Sequence, residues 1–134
     1  MKNNKWYVIS TFVLGCIVVN FAGRILSDRL QLPLWLDSFG TVTAAYVLGP
    51  FCAAMVGMTV NLTYGILYSW TNMFYAVVSA MVGITTGICV KKGFLKNLYG
   101  VLSTSFLVAV LSVTLSVPFN YLYCDGSTQN IWGD

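Results

Sequence analysis

The sequence contains no histidine and no glutamate, and only 8% of its 134 residues carry a charge. Soluble domains run at about 25% charged, so there are too few charges here to clothe a water-facing surface. Without histidine there is no phosphotransfer imidazole, and no Cys/His or Ser/His/Asp set for nucleophilic catalysis. No C-x-x-C pair occurs either, which leaves metal binding and thiol redox chemistry with little support. A Walker loop and paired intramembrane carboxylates are also missing, so an ATPase acting alone is excluded. The expectation is a chain that is not an enzyme and carries no cofactor. The formal charge of +3 comes from dispersed basic residues, which gives no nucleic-acid signal.

What is present is apolar. Hydrophobic residues make up 57% of the chain and the mean hydropathy is +0.77, an excess that needs lipid as its solvent. The expectation is an all-α, polytopic transmembrane bundle of about five helices forming a single membrane domain, 1–134. The opening Met1-Lys2-Asn3-Asn4-Lys5 before an apolar run has the look of a signal peptide. The run from Trp6 to Gly23 is longer than a leader core and more spans follow, so a first transmembrane helix is the better reading. Of the four cysteines, Cys16, Cys52 and Cys89 lie in apolar runs, where a thiol behaves as a small hydrophobe. Only Cys124 is in a polar segment, which argues against a disulfide within the chain.

The five spans are read at 6–23, 38–48, 51–68, 74–90 and 98–117, with a polar connection at 24–37 and an outer polar tail at 119–134. The second is too short to cross a hydrocarbon layer of roughly 30 Å alone, and it ends at the helix-breaking Gly49-Pro50. It could extend back to Leu34 or be partly re-entrant. Pro118 ends the fifth. Lys2 and Lys5 precede the first span, and Lys91, Lys92 and Lys96 lie between the fourth and fifth. The positive-inside rule puts both clusters in the cytoplasm. Four spans separate them, an even number, so the two clusters agree only if 38–48 counts as a crossing. The expected location is the plasma membrane, with the N-terminus inside and Asp28, Asp37, Asp125 and Asp134 all outside.

Small residues recur at four-residue steps: Gly49, Ala53, Gly57, Asn61 and Gly65 in the third span, then Ser79, Gly83 and Gly87 in the fourth. Such steps keep one helix face small and let a neighbouring backbone approach. Ala76 and Ala80 accompany the second ridge, and Ser105 with Ala109 and Ser112 with Ser116 make shorter ones in the fifth span. Three polar positions stand out. Asn20 and Asn61 sit within spans, where a buried amide must find partners in a neighbouring helix or a substrate. Asp37 heads the second span, where it could cap the helix starting at Ser38 or meet a ligand. The outer aromatics Trp35, Trp70, Tyr121, Tyr123 and Trp132 admit two readings, an interfacial belt or the mouth of an outward binding site.

Leu32-Pro33-Leu34-Trp35-Leu36-Asp37-Ser38-Phe39-Gly40-Thr41, then Ala44-Ala45-Tyr46-Val47-Leu48-Gly49-Pro50 and Gly57-Met58-Thr59-Val60-Asn61-Leu62, carry a resemblance. The chain resembles the substrate-binding S components of energy-coupling factor (ECF) transporters, which import vitamins and related micronutrients. Asp125-Gly126-Ser127-Thr128 resembles the outer loop before the last helix of that family. The resemblance covers roughly residues 12–65 well and the rest in outline, and similar segments occur at the start of membrane sensor kinases.

It implies a six-helix subunit that binds a small-molecule micronutrient on the outer side. Its partners would be the bilayer, a transmembrane coupling subunit and two cytoplasmic ATPases. Trp35, Asp37, Asn61, Tyr64 and Tyr68 are the expected lining residues. There are two departures. The family's alanine-x-x-x-alanine face on the first helix has only Gly15, Ala22 and Gly23 to represent it, and the sequence reaches Gly133-Asp134 where the family's sixth helix would begin, as expected of either a fragment or a shortened homologue. The competing expectation is the membrane sensor region of a signalling protein such as a histidine kinase. The outer acidic residues hint at a cationic or neutral polar ligand.

Overall fold

The computed structural model describes residues 3–30, 38–68 and 70–123. It is an all-α bundle, and no strand occurs among the described residues. The helices are α1 (Asn3–Leu30), α2 (Phe39–Val47), α3 (Pro50–Leu67), α4 (Thr71–Lys91) and α5 (Leu98–Tyr123), with a 3-10 turn at Phe94–Lys96. Four of them, all but α2, are long and apolar enough to cross a membrane. Large apolar side chains cover their outer faces, among them Phe51, Ile66, Leu98 and Phe106, each more than 70% exposed. So much apolar surface has no place in water, and the chain is membrane-embedded.

The antiparallel pair α3–α4 forms the centre. Glycines hold it together because a side chain at those points would meet backbone. A Cβ on Gly83 would lie 2.7 Å from the carbonyl carbon of Ala53, and one on Gly57 3.0 Å from Ser79 Cβ. Gly87 faces Pro50 and Gly65 faces Met73 in the same way. Ala53 is fully buried in this seam. Gly49 has a different task from the others in its sequence ridge: it turns the chain between α2 and α3 at φ +95°, which favours glycine.

α1 lies parallel to α3. Cys16 packs with Ala53 and Val56, and Arg24 and Asp28 reach Tyr64 two turns further along α3. α2 runs back down α1, with Gly40 against Cys16 and Asn20, and Ala44 and Ala45 in the cluster around Cys16. Asn20 is one turn below Arg24, so it stands level with the middle of α3. α2 therefore starts at mid-height and occupies one half of the bundle; its nine residues rise only about 14 Å. It delivers the chain to Gly49, where the stem of Lys91 lies 3.7 Å from the glycine's Cβ position. The start of α1, the α2–α3 turn and the Lys91–Lys96 turn thus share one end of the bundle, the lysine end. Tyr64, Tyr68 and Asn72 mark the opposite end.

Two helices run further than the apolar runs. α1 continues through Arg24, Asp28 and Arg29, where the sequence reading put a connection, because Arg24 and Asp28 find polar partners on α3 and α4. α5 continues through Pro118 to Tyr123. Proline removes one backbone donor, a loss that transmembrane helices tolerate. Beyond it, Phe119 and Tyr123 stack on Phe74, and Tyr75 Oη donates to Asn120 Oδ1 at 2.7 Å, so the last turn is held on α4.

Candidate functional site

At mid-height Asn20, fully buried, joins α1 to the start of α2. Its Oδ1 accepts from the Gly40 N–H at 2.6 Å and its Nδ2 donates to Thr41 Oγ1 at 2.9 Å. The first N–H groups of a helix have no partner of their own, and a bare one inside a membrane is costly. Ser38, at the N-cap, makes no side-chain cap bond, so the cap comes from another helix. Asp37, expected in that role, lies outside the described residues, as does Trp35.

Above this cap, α1, α3 and α4 bring a polar and aromatic cluster to the tyrosine end. Arg24 donates to Asn72 Oδ1 at 2.7 Å, and its guanidinium carbon sits 4.7 Å from the centre of the Tyr64 ring. Tyr64 Oη donates to Asp28 Oδ2. The Tyr64 ring also stacks on Tyr68 at 4.5 Å and meets the edge of Phe21 at 6.1 Å. Tyr64 is buried, while Tyr68 is 64% exposed, so the ladder runs from the interior to the surface. The arrangement offers a guanidinium, a carboxylate, a carboxamide and two stacked rings. Within the cluster these groups serve one another, Arg24 bonded to Asn72 and Tyr64 to Asp28.

Tyr64 and Tyr68 come together as lining candidates, but Asn61 turns elsewhere. Asn61 Nδ2 donates to Ser79 Oγ at 2.6 Å and to Gly57 O at 3.2 Å, inside the α3–α4 seam. Its Oδ1 is buried without a hydrogen-bond partner among the described residues. Arg24 and Asp28 are not expected in the site from sequence because charges after an apolar run look like loop, and Phe21 and Asn72 because nothing local distinguishes them. Spacing did give a signal: Phe21, Arg24 and Asp28 recur at three- and four-residue steps, one face of a continuing helix. Arg24 stands at the same end as Asp28, and Asp37, Asp125 and Asp134 lie outside the described residues.

A shallow groove lies elsewhere, between α4 and α5, lined by Thr71, Phe74, Val78, Ser116 and Asn120. Among the described residues no group of three His, Cys, Asp or Glu could hold a metal ion. Cys16 is a free, buried thiol, and Cys52 and Cys89 are free and half-buried. No family model, curated protein or solved structure matches the chain.

Proposed function

We propose that the chain is the substrate-capture subunit of an ECF-type micronutrient transporter, taking its ligand at the tyrosine end and relying on partner ATPases for energy. The observation that carries this reading is the cluster of Arg24, Asp28, Tyr64, Tyr68 and Asn72, drawn from three helices above the start of a half-length helix. Membrane transporters recurrently build substrate sites where a crossing is broken, because the interruption supplies polar groups at depth. The short α2, the polar and aromatic cluster over its start and the resemblance at residues 32–62 support the same reading. In it the lysine end faces the cytoplasm, where the coupling subunit and ATPases would dock, and the tyrosine end faces outward, at the plasma membrane.

The test is a thermal-shift screen of vitamins and related micronutrients on the full chain in detergent, joined to mass spectrometry of small molecules that co-purify. A true ligand at 100 times its Kd adds about 2.7 kcal/mol to stability, a plain upward shift in melting temperature. Tyr64→Ala and Arg24→Ala should abolish that shift while leaving the helical signal intact. A folded chain that no micronutrient stabilises, and that carries none from the cell, would contradict the proposal.

A further inference from the structure

The lysine end carries a charge pattern that substrate capture does not use. Lys91 and Lys92 close α4, Lys96 ends the 3-10 turn, and Lys5 stands at the start of α1; all four are exposed. The one acidic residue among the described residues, Asp28, is at the opposite end.

The turn that presents three of these lysines is built tightly. Gly93 takes the left-handed conformation at φ +77°, its N–H donates to Val90 O at 2.9 Å, and the Lys96 N–H returns to Gly93 O at 3.2 Å. A Cβ on Gly100 would run into the Phe94 carbonyl, so the turn lies directly on the first turn of α5. The three ammonium groups are thereby confined to a six-residue stretch, 91–96.

Exposed apolar side chains border them. Phe94 is 49% exposed, Leu98 74% and Tyr99 85%. Ammonium groups beside outward-facing apolar side chains match a molecule with an anionic head and a hydrocarbon tail. A free phosphate ion would use the lysines and leave the apolar border unexplained. Juxtamembrane lysines also gain most from the negative surface of an anionic leaflet.

We propose that the 91–96 turn, with Leu98 and Tyr99, is a binding surface for anionic phospholipid, the phosphate head group meeting Lys91, Lys92 and Lys96 and the acyl chains lying along Phe94 and Leu98. The test uses the full chain in mild detergent, titrated with short-chain phosphatidylglycerol or phosphatidylcholine and read by native mass spectrometry. Phosphatidylglycerol should bind at least tenfold more tightly, and raising the salt should erode the preference. At roughly fivefold per lysine, K91Q/K92Q/K96Q should lose about 100-fold, while K91R/K92R/K96R keeps the preference. Inorganic phosphate at equal concentration should not displace the lipid.

Equal binding of the two lipids would overturn the proposal. So would a preference that survives either the glutamine variant or high salt, or one that inorganic phosphate competes away. If the triple glutamine variant does not fold, K92Q alone and the salt series of the native chain decide the matter. An acidic protein that binds this turn in place of lipid would count against it as well.

Discussion

Gly87 offers the sharpest test of the α3–α4 seam. A Cβ there would lie 2.6 Å from both Pro50 N and Pro50 Cβ, against 3.4 Å or more for ordinary contact. The obstacle is backbone and a rigid ring, so no side-chain rotation relieves it. Pro50 Cα is nearer still, so the helices would have to part by about 1 Å at a packed seam that tolerates little change in volume. Overpacking of this kind costs about 1–3 kcal/mol. The gain in helix propensity from glycine to alanine offsets at most about 1 kcal/mol of that. With the full offset Gly87→Ala should destabilise by up to about 2 kcal/mol, about 1–3 kcal/mol worse than an alanine that meets no such obstacle. Gly15→Ala is the control: nothing lies within 4 Å of its Cβ position, so only the propensity gain remains and the chain should be unchanged or slightly firmer. The assay is reversible unfolding in mixed micelles, followed by far-ultraviolet circular dichroism. Equal stability of the two variants, or a firmer Gly87→Ala, would refute the packing argument.

Other perturbations separate the remaining parts. Asn20→Ala strips the Gly40 N–H of its acceptor inside the membrane and should cost about 1–3 kcal/mol. Amide exchange at Gly40 should speed up in that variant while the α3–α4 seam stays protected. Tyr64→Phe loses the bond to Asp28 but keeps the ring against Tyr68, so its melting temperature should fall by little while ligand binding weakens. Pro118→Ala returns a donor to the Thr114 carbonyl and should slow amide exchange in the last turns of α5.

Much of the bundle is readable before any coordinates, because lipid imposes simple rules. Apolar run lengths expose the long helices, and the four-residue spacing of Gly57, Gly83 and Gly87 marks residues that face a neighbouring helix backbone in the structure. Helix ends are harder. The sequence after Gly23 looks like loop because Arg24, Asp28 and Arg29 are charged. What keeps it helical, for Arg24 and Asp28, is a pair of partners 48 and 36 positions away, Asn72 and Tyr64. Pro118 misleads in the same way, since the stack of Phe74, Phe119 and Tyr123 is a tertiary contact no local signal carries.

The candidate site was legible only in part. Tyr64 and Tyr68 belong together because they are four residues apart on one helix face. Asn61, three residues before Tyr64, faces α4 instead, and periodicity alone does not say which neighbour each face will meet. Asn20 shows the same limit: its isolation in an apolar run marks it as needing partners, but only the descent of α2 along α1 reveals Gly40 and Thr41 as those partners.

The central claim is that the start of α1 and the lysine turn, which share one end of the bundle, lie on one face of the membrane. Single cysteines at Asn4→Cys, Trp70→Cys and Asn97→Cys, in a background with the four native cysteines replaced, report this directly in intact cells. An impermeant maleimide should label the Trp70→Cys chain from outside, and the Asn4→Cys and Asn97→Cys chains only after the membrane is opened. Labelling of the Asn4→Cys and Asn97→Cys chains from opposite sides would contradict the account.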